Sequence, residues 1–63
     1  MIAVLTLIPN TASPVIRDMH RQTREFEAAS LAHARRMVRA AFPGGFDNGA
    51  NWQVESVKAK PDV

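Results

Sequence analysis

The chain has 63 residues, 46% apolar and 22% charged, with eight Lys and Arg against six Asp and Glu for a formal charge of +2, and no cysteine. That size allows one domain, which buries only about 60% of the surface its unfolded chain exposes; disulfides and thiolate metal sites are excluded, so a second copy of the chain is the expected source of extra stability. The composition is that of an ordinary globular protein, and the opening run "MIAVLTLI" is too short for a membrane span and lacks the flanks of a signal peptide, so a cytoplasmic protein is expected.

Residues 2–8, "IAVLTLI", are aliphatic and β-branched almost throughout and end at Pro9-Asn10, the pattern of a strand covered on both faces. Ser13 and Pro14 supply a helix start, because the serine hydroxyl can accept from a free N–H of the first turn and proline loses nothing at the first helical position. The helix is expected to run over residues 14–42, about 42 Å at 1.5 Å per residue. Pro43 then disfavours helical geometry, and Gly44 and Gly45 can take the left-handed conformation beyond its end. Residues 43–51, "PGGFDNGAN", read as a turn-rich connector with a tight turn at Asn48-Gly49. Residues 52–59, "WQVESVKA", alternate as a half-exposed strand whose pattern slips at Val57, a sign of a bulge or of the strand's end. Residues 60–63 read as a frayed tail.

The fold class is therefore α+β: a small β-α-β unit with one long central helix packed on a short sheet, its crossover right-handed and its strands parallel if they pair directly. Two strands alone are marginal in water, and the helix overhangs a strand of about 26 Å. A homodimer, with the second subunit completing the sheet or packing along the helix, is the expected assembly.

On that helix, at 100° per residue, Val15, Met19, Phe26, His33 and Met37 share the buried side. Arg17, Arg21, Arg24, Arg35 and Arg39 lie opposite as a stripe in two clusters. Asp18 and Glu25 can pair with Arg21, whereas Arg35, Arg36 and Arg39 have no acid within helical reach. Arginine's planar fork suits carboxylate and phosphate alike, so the stripe implies an acidic protein surface as partner, with nucleic-acid phosphates as the alternative and a plain solvated face as the bland reading. Phe42, Phe46 and Trp52 gather at the connector as an apolar cap over the helix end, and Phe46 and Trp52 double as candidate partner anchors.

Little points to catalysis. His33 is expected among apolar neighbours and His20 about 140° away, with no second ligand one turn on, so neither a metal nor a cofactor is implied. Ser30 and His33 are one turn apart, but nothing supplies an orienting group or an oxyanion site. "GGFDNG" has no lysine and follows a helix instead of opening one, unlike a phosphate-binding loop. The sequence thus leads to a small non-catalytic accessory or inhibitory factor that docks on a larger, partly acidic protein through Arg17, Arg21, Arg24, Arg35, Arg36, Arg39, Phe46 and Trp52. The alternative is a nucleic-acid-binding module using the same arginines.

Overall fold

The computed structural model describes residues 1–47, 49 and 51–61. The aliphatic run forms β1 (Ile2–Pro9), the middle strand of a three-stranded sheet, with β2 (Gln22–Glu27) on one side and β3 (Trp52–Ala59) on the other, both antiparallel to it. A short helix, α1 (Pro14–Met19), connects β1 to β2, and α2 (Leu31–Ala41) connects β2 to β3.

Alternation along β1 decides which residues make the core. Ala3, Leu5 and Leu7 point to one side, where Ala34 and Val38 of α2 cover them, and Phe26, Val54, Val57, Phe42 and Trp52 close the edges of the cluster. Cross-strand register keeps these residues on one face: Ala3 lies opposite Phe26, Leu5 opposite Val57, Leu7 opposite Val54 and Pro9 opposite Trp52. Ile2, Val4, Thr6 and Ile8 take the other face, where Ile8 is buried at 5%, Val4 and Thr6 are half-buried and Ile2 is 37% exposed. The expectation that β1 is covered on both faces is therefore met only in part: α2 covers one side, and the other is closed at Ile8 and open toward Ile2.

The single helix over residues 14–42 is also corrected. It breaks into α1, β2 and α2. The Ser13 hydroxyl accepts from the Ile16 N–H at 3.4 Å with Pro14 in the first turn, as expected, but the helix ends at Met19. A second start follows at Ser30, whose hydroxyl accepts from the His33 N–H at 3.1 Å. Between them, residues 22–27 become the third strand. A helix through this stretch would leave β1 with one neighbour and half its backbone polar groups without a sheet partner, and that cost outweighs the weak helical preference of "QTREFE". At 11 residues, α2 is about 16 Å long and matches the sheet, so the overhang disappears. Residues 22–27 supply a third strand from within the chain.

The expected parallel pairing of the first and last strands does not occur, since β1 and β3 are antiparallel. A β-α-β unit is present at a different place: β2 and β3 run parallel to each other, joined by α2, with β1 inserted between them. The slip in the last strand is a bulge. Thr6 pairs with Ser56 and Leu7 with Val54, which leaves Glu55 as the extra residue, two positions before Val57. Gly44 and Gly45 both have positive φ, 75° and 84°, as the end of α2 requires. The turn at Asn48-Gly49 falls partly outside the described residues, as does the end of the tail. Lys60, however, is tied in: its N–H donates to the Ile2 carbonyl at 2.9 Å, continuing the β3 ladder.

The result is a slab of 33 × 27 × 12 Å. Its surface of 4474 Å² exceeds the roughly 4,000 Å² of a compact monomer of 6.9 kDa, as a thin slab requires. One long helix would bury Val15 and stack it on the side of Phe26, but Val15 on α1 is 66% exposed while Val38 is 8% exposed. Val38→Ala is expected to cost about 2 kcal/mol and Val15→Ala less than about 0.5 kcal/mol, read from urea melts of both variants. Equal losses would support the unbroken helix.

Candidate protein-docking surface

The six arginines, drawn together on one helix by the sequence reading, are distributed over four places, and their surroundings sort them. Arg17 on α1 is half-buried and its Nε donates to the Thr11 carbonyl at 2.8 Å, so it fastens the loop after β1. Arg21, just before β2, is bound to Asp18 at 3.1 Å and to Glu55 at 2.9 Å. Its hydrogen bond to Glu55, with the fields of Glu55 and Asp18, holds the guanidinium still more firmly protonated than usual, against the opposing effect of lost hydration. Both are engaged within the chain, and the single helical stripe that would have grouped them with the other arginines does not form.

Arg24, Arg35, Arg36 and Arg39 differ: all are exposed, and among the described residues none has an ion-pair partner. Arg35, Arg36 and Arg39 span about 100° of the outer surface of α2, away from buried Ala34 and Val38. Residues 31–41 contain no acid at all. Arg39 in the last turn also sits favourably at the negative end of the helix dipole.

The charges that do pair lie elsewhere. Glu25 and Lys60 belong to the open face of the sheet, opposite α2, and their contact at 2.6 Å crosses β1 from β2 to the end of β3. Arg21 and Glu55 likewise reach from the β2 side to the β3 side. The open face is therefore crossed by ion pairs and keeps one unpaired cation, Lys58, whereas among the described residues the α2 side keeps four, Arg24, Arg35, Arg36 and Arg39.

Between α2 and β2 runs a groove. Three strands about 4.8 Å apart are wider than the roughly 10 Å of one helix, so a single helix covers about two of them. Here α2 lies over β1 and β3, and the α2-side residues of β2, Gln22, Arg24 and Phe26, are left uncovered or half-covered. At the Phe26 end a hollow of about 220 Å³ is lined by Leu5, Phe26, Met37, Val38, Ala41 and Phe42, all apolar. At the Arg24 end a cleft of about 360 Å³ is lined by Leu7, Gln22, Arg24, Phe42, Asp47 and Trp52. Phe42 borders both. Asp47 is held by its own turn: Oδ1 accepts from the Asn51 N–H at 2.9 Å, and its N–H donates to the Trp52 carbonyl at 3.0 Å.

The aromatic cap forms in part. Phe42 and Trp52 pack on Leu5, Leu7 and Val38, while Phe46 pairs through its backbone with Gln53 and stays 39% exposed. Trp52 and Arg24 therefore meet in one cleft, and Phe46 remains outside its lining. Gln22, Phe26, Met37 and Asp47 were not singled out as site residues. Reading residues 22–27 with period two would have found the first two, since Gln22, Arg24 and Phe26 then share a face.

His33 has a local role. Its backbone N–H donates to Ser30 Oγ, and its Nδ1 accepts from the Ala29 N–H at 3.0 Å, so serine and histidine together satisfy the start of α2 in the manner of a capping box. It is half-exposed, not buried among the apolar residues. Both groups of the Ser30–His33 pair are occupied in this cap. Among the described residues no group of three His, Cys, Asp or Glu side chains comes together, and no helix is long and apolar enough to cross a membrane.

Comparison with protein-family models, with curated proteins and with solved structures found no match to this chain. The site is accordingly read from its geometry.

The cap gives a direct test. His33→Leu removes the acceptor for Ala29 and is expected to lower stability by about 1 kcal/mol, while His33→Gln, which can reach back in the same way, should recover most of it in thermal melts. Equal losses in both variants would mean that the ring acts through packing instead.

Proposed function

We propose that this chain is a non-catalytic binding protein that docks on an acidic surface of a larger protein partner through the α2 side of the slab. The observation that carries the reading is the free cationic surface of α2: Arg35, Arg36 and Arg39 on one regular element, no acid in that element, and no ion pair to them among the described residues. Lys60 on the open face and Arg21 at the α1 end are paired and Lys58 stands alone, so among the described residues α2 is the one element that carries three unpaired cations. Arginine's planar fork meets a carboxylate with two parallel hydrogen bonds, which adds geometric specificity to the attraction.

Nucleic acid is the weaker reading. Three arginines on one short helix reach few phosphates, and Glu27 on the open face, without an ion pair among the described residues, would repel a wrapped strand.

Reversing Arg35 and Arg39 together to Glu should leave the melting transition within about 1 kcal/mol of the parent, because exposed helix charges contribute little to stability. The same change should weaken capture of partner proteins from nuclease-treated host extract by about 2 kcal/mol or more, since like charges then face each other across the contact. Loss of every partner on nuclease treatment of the parent protein, or undiminished capture by the double variant, would overturn the reading.

A further inference from the structure

We infer that the groove between α2 and β2 takes an extended acidic segment of a protein partner, which adds as a fourth strand to the free edge of β2 and presents an apolar and an acidic side chain, two residues apart, to the α2 side. The inference rests on the acidic-partner reading above and specifies how such a segment is gripped.

The edge comes first. β2 is paired with β1 alone, so the outward N–H and C=O groups of Gln22–Glu27 form a template for another strand. Spacing comes second. Arg24 and Phe26 are on the same face of β2, two residues and therefore about 7 Å apart, the repeat at which an added strand places its own same-side residues. One of those residues would lie over the open hollow of about 220 Å³ formed by Phe26, Met37, Ala41 and their neighbours, where it finds only apolar side chains. The next would lie beside the Arg24 guanidinium, which has no ion pair among the described residues. A carboxylate is the complement of that group.

The residue between those two would point to the open face, toward Glu25. Glu25 is already held by Lys60, so an acid there would compete with it for that one cation and a neutral or basic residue is favoured. The recognised pattern is thus apolar, then a neutral or basic residue, then Asp or Glu, in one direction of the chain or the other.

A second copy of this protein fits the edge poorly. With faces matched, the two antiparallel self-pairings of β2 that engage most of its length place either Arg24 opposite Arg24 or Glu25 opposite Glu25, and like charges directly opposite are destabilising. The edge therefore disfavours its own sequence and suits an acid-bearing one.

The test is selection of eight-residue peptides from a random display library on the intact protein. Enrichment of the apolar, non-acidic, acidic pattern is expected, with slowed amide hydrogen exchange at residues 22–27 when a selected peptide is bound. Arg24→Glu should switch the selected charge from acidic to basic, and Met37→Asp, at an exposed position that the core does not depend on, should weaken a selected peptide by about tenfold or more. No enriched pattern, a pattern indifferent to Arg24→Glu, or a dimer in sedimentation that Met37→Asp dissolves would overturn the inference. Host partners that still depend on Arg35 and Arg39 while the library yields nothing would remove the groove inference and leave the broader reading standing.

Discussion

An aliphatic strand of eight residues carries two demands that a chain this short struggles to meet together. Its backbone needs a hydrogen-bonding neighbour on each side, and at least one row of its side chains needs a cover. β1 meets the first by recruiting residues 22–27 and 52–59, and the second by laying α2 over Ala3, Leu5 and Leu7. Every other element follows from that arrangement. α1 and the loops around it return the chain to the start of β2, and the bulge at Glu55 and the glycines at 44 and 45 fit β3 to the far edge. At about 0.05 to 0.15 kcal/mol per residue, a 63-residue domain has a total stability of only some 3 to 9 kcal/mol, so a single buried aliphatic of β1 or α2 is a large fraction of it.

The same economy of structure creates the candidate site. One helix is too narrow for three strands, and the uncovered row falls on β2, whose residues on that side are Gln22 and Arg24 with only Phe26 apolar. Polar side chains there keep the exposed edge from being a flat apolar strand, and they are also the groups that a bound segment would meet. The division of charge reinforces this. Two ion pairs cross the open face, while among the described residues the arginines of α2 and Arg24 have no ion pair on the other.

Much of this architecture is written plainly in the sequence, and one segment is not. The aliphatic run of β1, the Ser13-Pro14 start, the paired glycines and the alternation with its slip in β3 each act through local chemistry, so each is legible without knowing the rest. Residues 22–27 form a strand for a non-local reason. They contain one large apolar residue, Phe26, and a half-exposed edge strand leaves so faint a period-two signal that the helical spacing linking Phe26 to His33 and Met37 dominates. Ser30 was the missing punctuation, an N-cap in the middle of what reads as helix. Consequently the cluster of Arg35, Arg36 and Arg39, lying wholly within a true helix, was legible as a surface, whereas Arg17, Arg21 and Arg24 could not be placed until β2 was known.

The decisive claim is that residues 22–27 pair with β1 as an edge strand and so leave the groove beside α2. Nuclear Overhauser contacts in solution report on it most directly. Cross-strand contacts between the backbone protons of Val4 and Glu25 and of Thr6 and Thr23, which lie opposite each other in the register, are expected, with helical contacts between residues three apart confined to 14–19 and 31–41. Helical contacts running without a break through residues 20–30, with none linking this stretch to β1, would contradict the account.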